Sequence, residues 1–245
     1  EVGFGCGGYW GYGLFDEARA IALVHEALDK GVTFFDTGAS YSGGNAEVRL
    51  GKALKGRDVS HLVIGTKGGT VIKNNGRLGK NFTPESLTQQ LETSRKNLGL
   101  ETIPLWQLHA PKAADIDEEV LDTLEMFKQK GWVQAVGASC DDTALDKAID
   151  CNRLDVAMCT YNVLHQKPLA QIERAYDAGI GVLVKSPMAH TLYSRRIWQL
   201  RSLGDVWYLL RVLKNYRGDL LQGRKFRFVN DVNGLTGHEV ALLYA

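Results

Sequence analysis

Net charge is nearly absent from this sequence: 29 Lys and Arg offset 28 Asp and Glu, leaving +1. So even a balance supplies no field for gathering nucleic acid or an anionic membrane, and no basic run interleaves with aromatic residues. Long apolar runs are missing too. Stretches such as residues 62–64 and 181–184 are strand-length, far below the ~20 residues of a membrane-spanning helix. Cysteine is scarce. Cys6, Cys140, Cys151 and Cys159 show no CxxC spacing and no nearby histidine pair, which argues against a disulfide framework and a zinc site and for reduced thiols in a cytoplasmic protein. No signal-peptide pattern opens the chain, and no low-complexity or proline-rich linker divides it. The first residue is Glu and the last residues, 239–245, belong to an expected helix. The expectation is a trimmed version of a longer protein, with residues 1–245 forming one domain truncated at its C-terminus.

What is present is an ordinary globular balance, 44% hydrophobic and 23% charged residues over 245 positions, a length that suits a single α/β barrel. Short β-branched runs alternate with stretches of helical period to the end. Residues 15–30 carry Ile21, Val24, Ala27 and Leu28 on one face, the mark of a helix, and Gly31 supplies a stop. The continuous apolar run Val32-Thr33-Phe34-Phe35 suits a strand buried on both faces. The spacing then predicts helices over 46–54, 84–98, 118–130, 143–151 and 169–178, and strands over 61–66, 104–108, 133–138, 156–160 and 181–184. Thr83-Pro84 is a strong helix start, Thr as cap and Pro at the first helical position. Thr236-Gly-His-Glu239 offers a capping box for a last helix. With a first strand over 2–6, this makes seven strands, each followed by a helix or a helix-bearing loop. The alternation predicts an α/β fold with a parallel sheet, read as a (β/α)₈ TIM barrel whose last βα unit is missing from this chain. Only residues 194–233 break the rhythm. They are expected to be partly helical, over 206–216, and long enough for an active-site loop or lid.

Gly3-Phe-Gly5-Cys-Gly-Gly8 fits the GxGxxG outline of a dinucleotide fingerprint, with Asp36 ending the next strand. That fingerprint requires a helix to open at its third glycine so that amide groups meet the pyrophosphate. Here the aromatic, glycine-rich Tyr9-Trp-Gly-Tyr-Gly13 intervenes, and a Rossmann site is rejected.

Four ionisable residues fall at corresponding places along the pattern. Asp36 closes one strand, Tyr41 lies five residues on, Lys67 follows Ile64-Gly-Thr66, and His109 follows Leu105-Trp-Gln-Leu108. Each alone has an ordinary explanation: an ion-pair partner, a packing ring, a solvated charge, a hydrogen-bonded structural group. In a barrel, however, the carboxyl ends of the strands gather at one face, where active sites lie. Successive strands would then deliver an acid, a phenol, an ammonium and an imidazole to one pocket, and the joint placement favours catalysis. The set suits carbonyl reduction by hydride, which needs a proton for the developing alkoxide. A phenol gives up its proton reluctantly unless a neighbouring ammonium stabilises the phenolate, and a carboxylate can hold that ammonium in place. An imidazole can orient the carbonyl oxygen. No spacing suggests a metal.

These residues carry a resemblance to the aldo-keto reductase superfamily. Phe34-Phe-Asp36-Thr-Gly-Ala-Ser-Tyr41 resembles its Asp-Thr-Ala-x-x-Tyr signature, and Asn45-Ala-Glu47 through Gly51-Lys-Ala-Leu54 is similar to "S-E-x-x-L-G-K-A-L". Thr66-Lys67 and Leu105-Trp-Gln-Leu-His109-Ala-Pro111 match the lysine and histidine motifs. The similarity runs over residues 3–186. It implies Tyr41 as general acid–base, Lys67 and Asp36 as its tuning pair, His109 as substrate orienter, and NADPH or NADH bound across the barrel mouth. The cofactor side departs from the pattern. Ser139-Cys140 stands for the usual "S-N", Met158 for a carboxamide-binding glutamine, and Lys185-Ser186-Pro187-Met188 for "Y-S-P-L". Ser139, Met158, Lys185, Ser186 and Met188 are nevertheless the implied cofactor contacts. Trp10 and Trp106 are candidate substrate-pocket residues, as plausible for plain packing.

The resulting expectation is an NAD(P)H-dependent reductase of an aldehyde, ketone or sugar carbonyl, or the reverse alcohol oxidation, acting on a small molecule with no nucleic acid or membrane partner. A homo-oligomer is left open. The rival is a nucleotide-binding sensor or partner subunit with little turnover, like channel β-subunits, for which Cys140, Met158 and Lys185 leave room. A weaker rival makes Lys67 a Schiff-base lysine of a barrel lyase.

Overall fold

The computed structural model describes residues 1–232 and 234–245; Asn233, at the end of the expected insertion, lies outside the described residues. The chain divides into two compact units, Glu1–Ala157 with Ala175–Gly181, and Met158–Arg174 with Val182–Ala245.

The first unit alternates strand and helix: β1 (Phe4–Gly5), α1 (Glu17–Asp29), β2 (Phe34–Asp36), α2 (Asn45–Leu54), β3 (Val63–Gly68), a hairpin of β4 (Thr70–Ile72) and β5 (Leu78–Lys80), α3 (Pro84–Leu98), β6 (Ile103–His109), α4 (Glu118–Gln129), β7 (Val133–Ser139), α5 (Asp142–Asp150) and the start of β8 (Val156–Thr160). α6 (Leu169–Asp177) and β9 (Gly181–Lys185) follow. The sheet order is β1-β2-β3-β6-β7-β8-β9, with the hairpin apart. The pairs from β1 to β7 are all parallel. Strand order follows chain order without the reversal that defines a doubly wound sheet, as a (β/α)₈ barrel requires. Strand order and alternation thus carry the expected barrel architecture.

Local chemistry explains the boundaries. Asp16 caps α1 by accepting from the Arg19 amide at 2.7 Å. Thr83 caps α3 with Pro84 in its first turn, and Gly99, at φ 69°, closes it in the left-handed conformation that glycine adopts without penalty. Where the GxGxxG outline would need an α-helix there is only a 3₁₀ turn, Gly8–Gly11, and the next α-helix begins at Glu17. Inside the unit, Phe35, Ile64, Leu105 and Leu108 of the strands and Leu87, Leu91, Leu124 and Phe127 of α3 and α4 are all buried.

The insertion is more helical than the expected 206–216. It holds α7 (Leu203–Asn215), α8 (Arg217–Gly223) and a 3₁₀ stretch, Arg224–Asp231. Ser202 caps α7 by accepting from Asp205 N–H at 3.2 Å, a start signal one turn upstream of the expected one. The second unit has its own core, in which Tyr193, Val163, Val229 and Ala241 cluster, and Leu192, Ile197, Val212 and Leu220 form a second group. Its last helix, α9 (Gly237–Tyr244), opens on the expected capping box of Thr236 and Glu239. Among the described residues, no helix is long and apolar enough to cross a membrane.

Candidate active site

Register brings the strand ends level. Asp36 pairs with Gly65, Lys67 with Gln107, and His109 with Ser139. Side chains two apart on a strand share a face, so Gln107 and His109 project to one side of the sheet while Trp106 projects to the other.

Lys67 is the best-defined group of the set. It is 1% exposed, and its ammonium donates to Asp36 at 2.6 and 2.5 Å and to the Thr37 carbonyl at 2.7 Å. All three N–H bonds have acceptors, which a charge taken out of water needs. Thr37 is fixed in turn: its amide donates to Gly65 O at 2.8 Å and its hydroxyl to Cys6 O at 3.0 Å.

Tyr41 begins a 3₁₀ turn, Tyr41–Gly44, five residues past the end of β2. The Lys67 ammonium lies 4.9 Å from the centroid of its ring. The His109 ring meets the same phenol edge-on, centroids 5.3 Å apart and planes at 80°. Two glycines confine the ring. A Cβ on Gly7 would lie 2.8 Å from Tyr41 Cδ2, and one on Gly38 3.3 Å from Cδ1. Ser40 Oγ lies 3.4 Å from His109 Nδ1. The four predicted residues are therefore brought together. Thr37, Ser40 and the two glycines join them; Thr37, Gly38 and Ser40 lie within the Asp36-to-Tyr41 motif, whereas Gly7 comes from the glycine-rich segment at the end of β1.

Cys6 borders this group, wholly buried, and burial together with the Asp36 charge pushes its thiol well above the usual range. It is therefore a protonated, packed group, not a nucleophile.

Ser139 ends β7 at 4% exposure, beside His109 in register. Met158 lies within β8 at 4% exposure, Lys185 ends β9, and Met188 is 40% exposed. Ser186 takes a left-handed φ of 57°, and its carbonyl accepts from Asn162 Nδ2 at 3.0 Å. These last four residues belong to the second unit.

The side chains of the two candidate tryptophans are both buried. Trp106 is fully buried on the helix-facing side of β6, edge-on to Phe127 at 5.6 Å. Trp10 is buried too, and its indole N–H donates to Ala20 O at 3.1 Å. The exposed aromatics of that loop are Tyr9 and Tyr12. A buried arginine holds the loop's shape: Arg49 donates to the carbonyls of Trp10, Tyr12 at 3.3 Å and Phe15 at 3.2 Å.

Comparison with known proteins gives one answer. The Aldo/keto reductase family model matches residues 1–245. The NADH-specific methylglyoxal reductase of Escherichia coli (strain K12) is 28% identical over 199 residues, 76% of this chain and 61% of that protein. L-galactose dehydrogenase of Arabidopsis thaliana is 28% identical over 208 residues, 80% and 63% of the two chains. Among solved structures, the holo form of aldo-keto reductase AKR11C1 from Bacillus halodurans aligns with a TM-score of 0.73 at 28% identity, covering 80% of this chain and 65% of that one. The chain thus spans less than two thirds of the length of these relatives.

Proposed function

Since the chain belongs to the Aldo/keto reductase family, we propose that it reduces an aldehyde, ketone or sugar carbonyl, or oxidises the corresponding alcohol, at the site built by Tyr41, Lys67, Asp36 and His109. Residues 1–245 act in this reading as one reductase domain. The observation that carries it is the buried Lys67 ammonium, clamped by Asp36 and held 4.9 Å from the Tyr41 ring centroid.

Bound NADPH or NADH supplies the hydride. Ser139 fits the carboxamide of such a group: a neutral hydroxyl, able to donate and to accept, at a strand end beside His109. Met158, Lys185, Ser186 and Met188 complete the proposed cofactor set. The remaining work falls to the tetrad. As the carbonyl carbon gains hydride, its oxygen becomes an alkoxide and takes the Tyr41 phenolic proton, giving the alcohol. Lys67 stabilises the phenolate left behind, and Asp36 with the Thr37 carbonyl keeps the ammonium in position. If the Ser40 hydroxyl donates to His109 Nδ1, the imidazole carries its proton on Nε2. That N–H then donates to the carbonyl oxygen and orients it. In the reverse direction, tyrosinate accepts the alcohol proton. The names of the two curated relatives point to small aldehydes and aldoses as first substrates.

The test is cofactor oxidation by the wild type and Tyr41→Phe against methylglyoxal, an aldose series and an activated aromatic aldehyde, with NADPH and NADH. Loss of about 10³-fold in turnover, with cofactor affinity kept, is the outcome expected when a general acid is removed. Equal rates would remove Tyr41 from its role. Saturable cofactor binding by a wild type that turns over no carbonyl would overturn the reductase itself.

A further inference from the structure

The hairpin of β4 and β5 makes contact with the end of β6. Thr70 and Lys80 are cross-strand partners closing its base. Lys80 Nζ donates to the main-chain carbonyl of His109 at 2.5 Å and to Thr70 Oγ1 at 2.7 Å. Thr70 Oγ1 donates onward to the same carbonyl at 3.3 Å. One carbonyl is thus gripped by both residues at the base of one hairpin, and one of the two donors is charged. Charged donors make roughly twice the bond of neutral ones.

The next residue gives the grip its purpose. Ala110 takes a left-handed φ of 49°, which a non-glycine residue holds only when its surroundings enforce it. Its amide donates to Ser139 O at 2.8 Å. The peptide between His109 and Ala110 is therefore pinned on both sides, by Lys80 and Thr70 at the oxygen and by Ser139 at the nitrogen. Lys80 is exposed, its ammonium 6.0 Å from the Phe82 ring centroid; partial desolvation lowers its pKa, and the charge of Asp115 opposes that shift. Its two hydrogen-bond acceptors, Thr70 Oγ1 and the His109 carbonyl, both belong to this grip.

We propose that Lys80 is a positioning residue for His109, fixing through its carbonyl the strained turn that ends β6 and so aiming the imidazole at the reacting oxygen. The catalytic consequence rests on the role given to His109 under Proposed function; the structural consequence does not. No substrate contact is assigned to Lys80.

Lys80→Met keeps the apolar stem and removes the donors, Lys80→Arg restores a charged donor, and Leu78→Ala, exposed on the same hairpin, controls for damage to the hairpin as such. Imidazole nitrogen resonances of histidine-labelled protein, assigned by their loss in His109→Gln, report on the ring without turnover. In Lys80→Met the His109 resonances are expected to move, and kcat and kcat/KM to fall together by about tenfold with KM unchanged, the pattern of a misaligned group that acts in the transition state. Lys80→Arg should return both toward the wild type, and Leu78→Ala should leave both alone. His109 resonances that coincide in Lys80→Met and wild type would overturn the proposal, as would a loss carried entirely by KM. If the wild type lacks turnover, the reductase reading fails, while the resonances still decide whether Lys80 positions the ring.

Discussion

Replacing Gly7 by alanine should slow catalysis while leaving the fold intact. Gly7 is extended, φ −156° and ψ −172°, a conformation alanine adopts freely, so backbone strain is not introduced. The new methyl group would instead lie 2.8 Å from Tyr41 Cδ2. Ordinary contact begins near 3.4 Å, so the ring must move by about 0.6 Å. Its freedom to do so is limited, because the Lys67 ammonium and the His109 ring lie against it. Misplacing a reacting group by 1 Å costs on the order of 10²-fold, so a shift of this size should lower kcat by roughly tenfold, about 1.4 kcal/mol. Gly38→Ala requires only about 0.1 Å of adjustment on the same scale and should cost less than about threefold. Steady-state rates with saturating cofactor, beside thermal unfolding of both variants, make the measurement. Gly7→Ala turning over within twofold of wild type, or Gly38→Ala proving the more damaging of the two, would refute a Tyr41 ring held by glycine clearance.

Asp36→Asn removes the counter-charge of an ammonium that is 1% exposed; breaking such a pair should destabilise the protein by about 3 kcal/mol, read by urea unfolding, and a loss under about 1 kcal/mol would mean that water or another group shields Lys67. Thiol titration of the native protein at pH 8 should find Cys151 reacting first, since it is partly exposed while Cys6, Cys140 and Cys159 are buried. Labelling of Cys6 ahead of Cys151, mapped by mass spectrometry, would contradict the packed, protonated thiol described for it.

Much of this site was legible because its chemistry is carried by side chains at strand ends, and strand ends are set by patterns a sequence displays. Phe34-Phe-Asp36 reads as a buried strand closing on an acid, and β6, bounded by apolar alternation, delivers His109 one residue past the expected end. The helices of the first unit fall within a residue or two of expectation, as Thr83 with Pro84 shows for α3. The hairpin of β4 and β5 escaped, although Asn75-Gly76 between Val71-Ile72 and Leu78 is a turn signal of the kind hairpins use; its strands are too short for a period to emerge. Trp106 left pocket and packing readings equally open in the sequence; one step along a strand turns a side chain to the other face, and it packs on Phe127. Least legible are the contacts that fix the catalytic groups in place. Lys67 on Thr37 O, Lys80 on His109 O and Arg49 on three loop carbonyls all address main-chain oxygens. Every residue carries such an oxygen, so the sequence marks the donor and leaves the acceptor anonymous. Which carbonyl a cation finds is decided only when the loops close, and that is why the residues holding a site in position are harder to read than those that perform its chemistry.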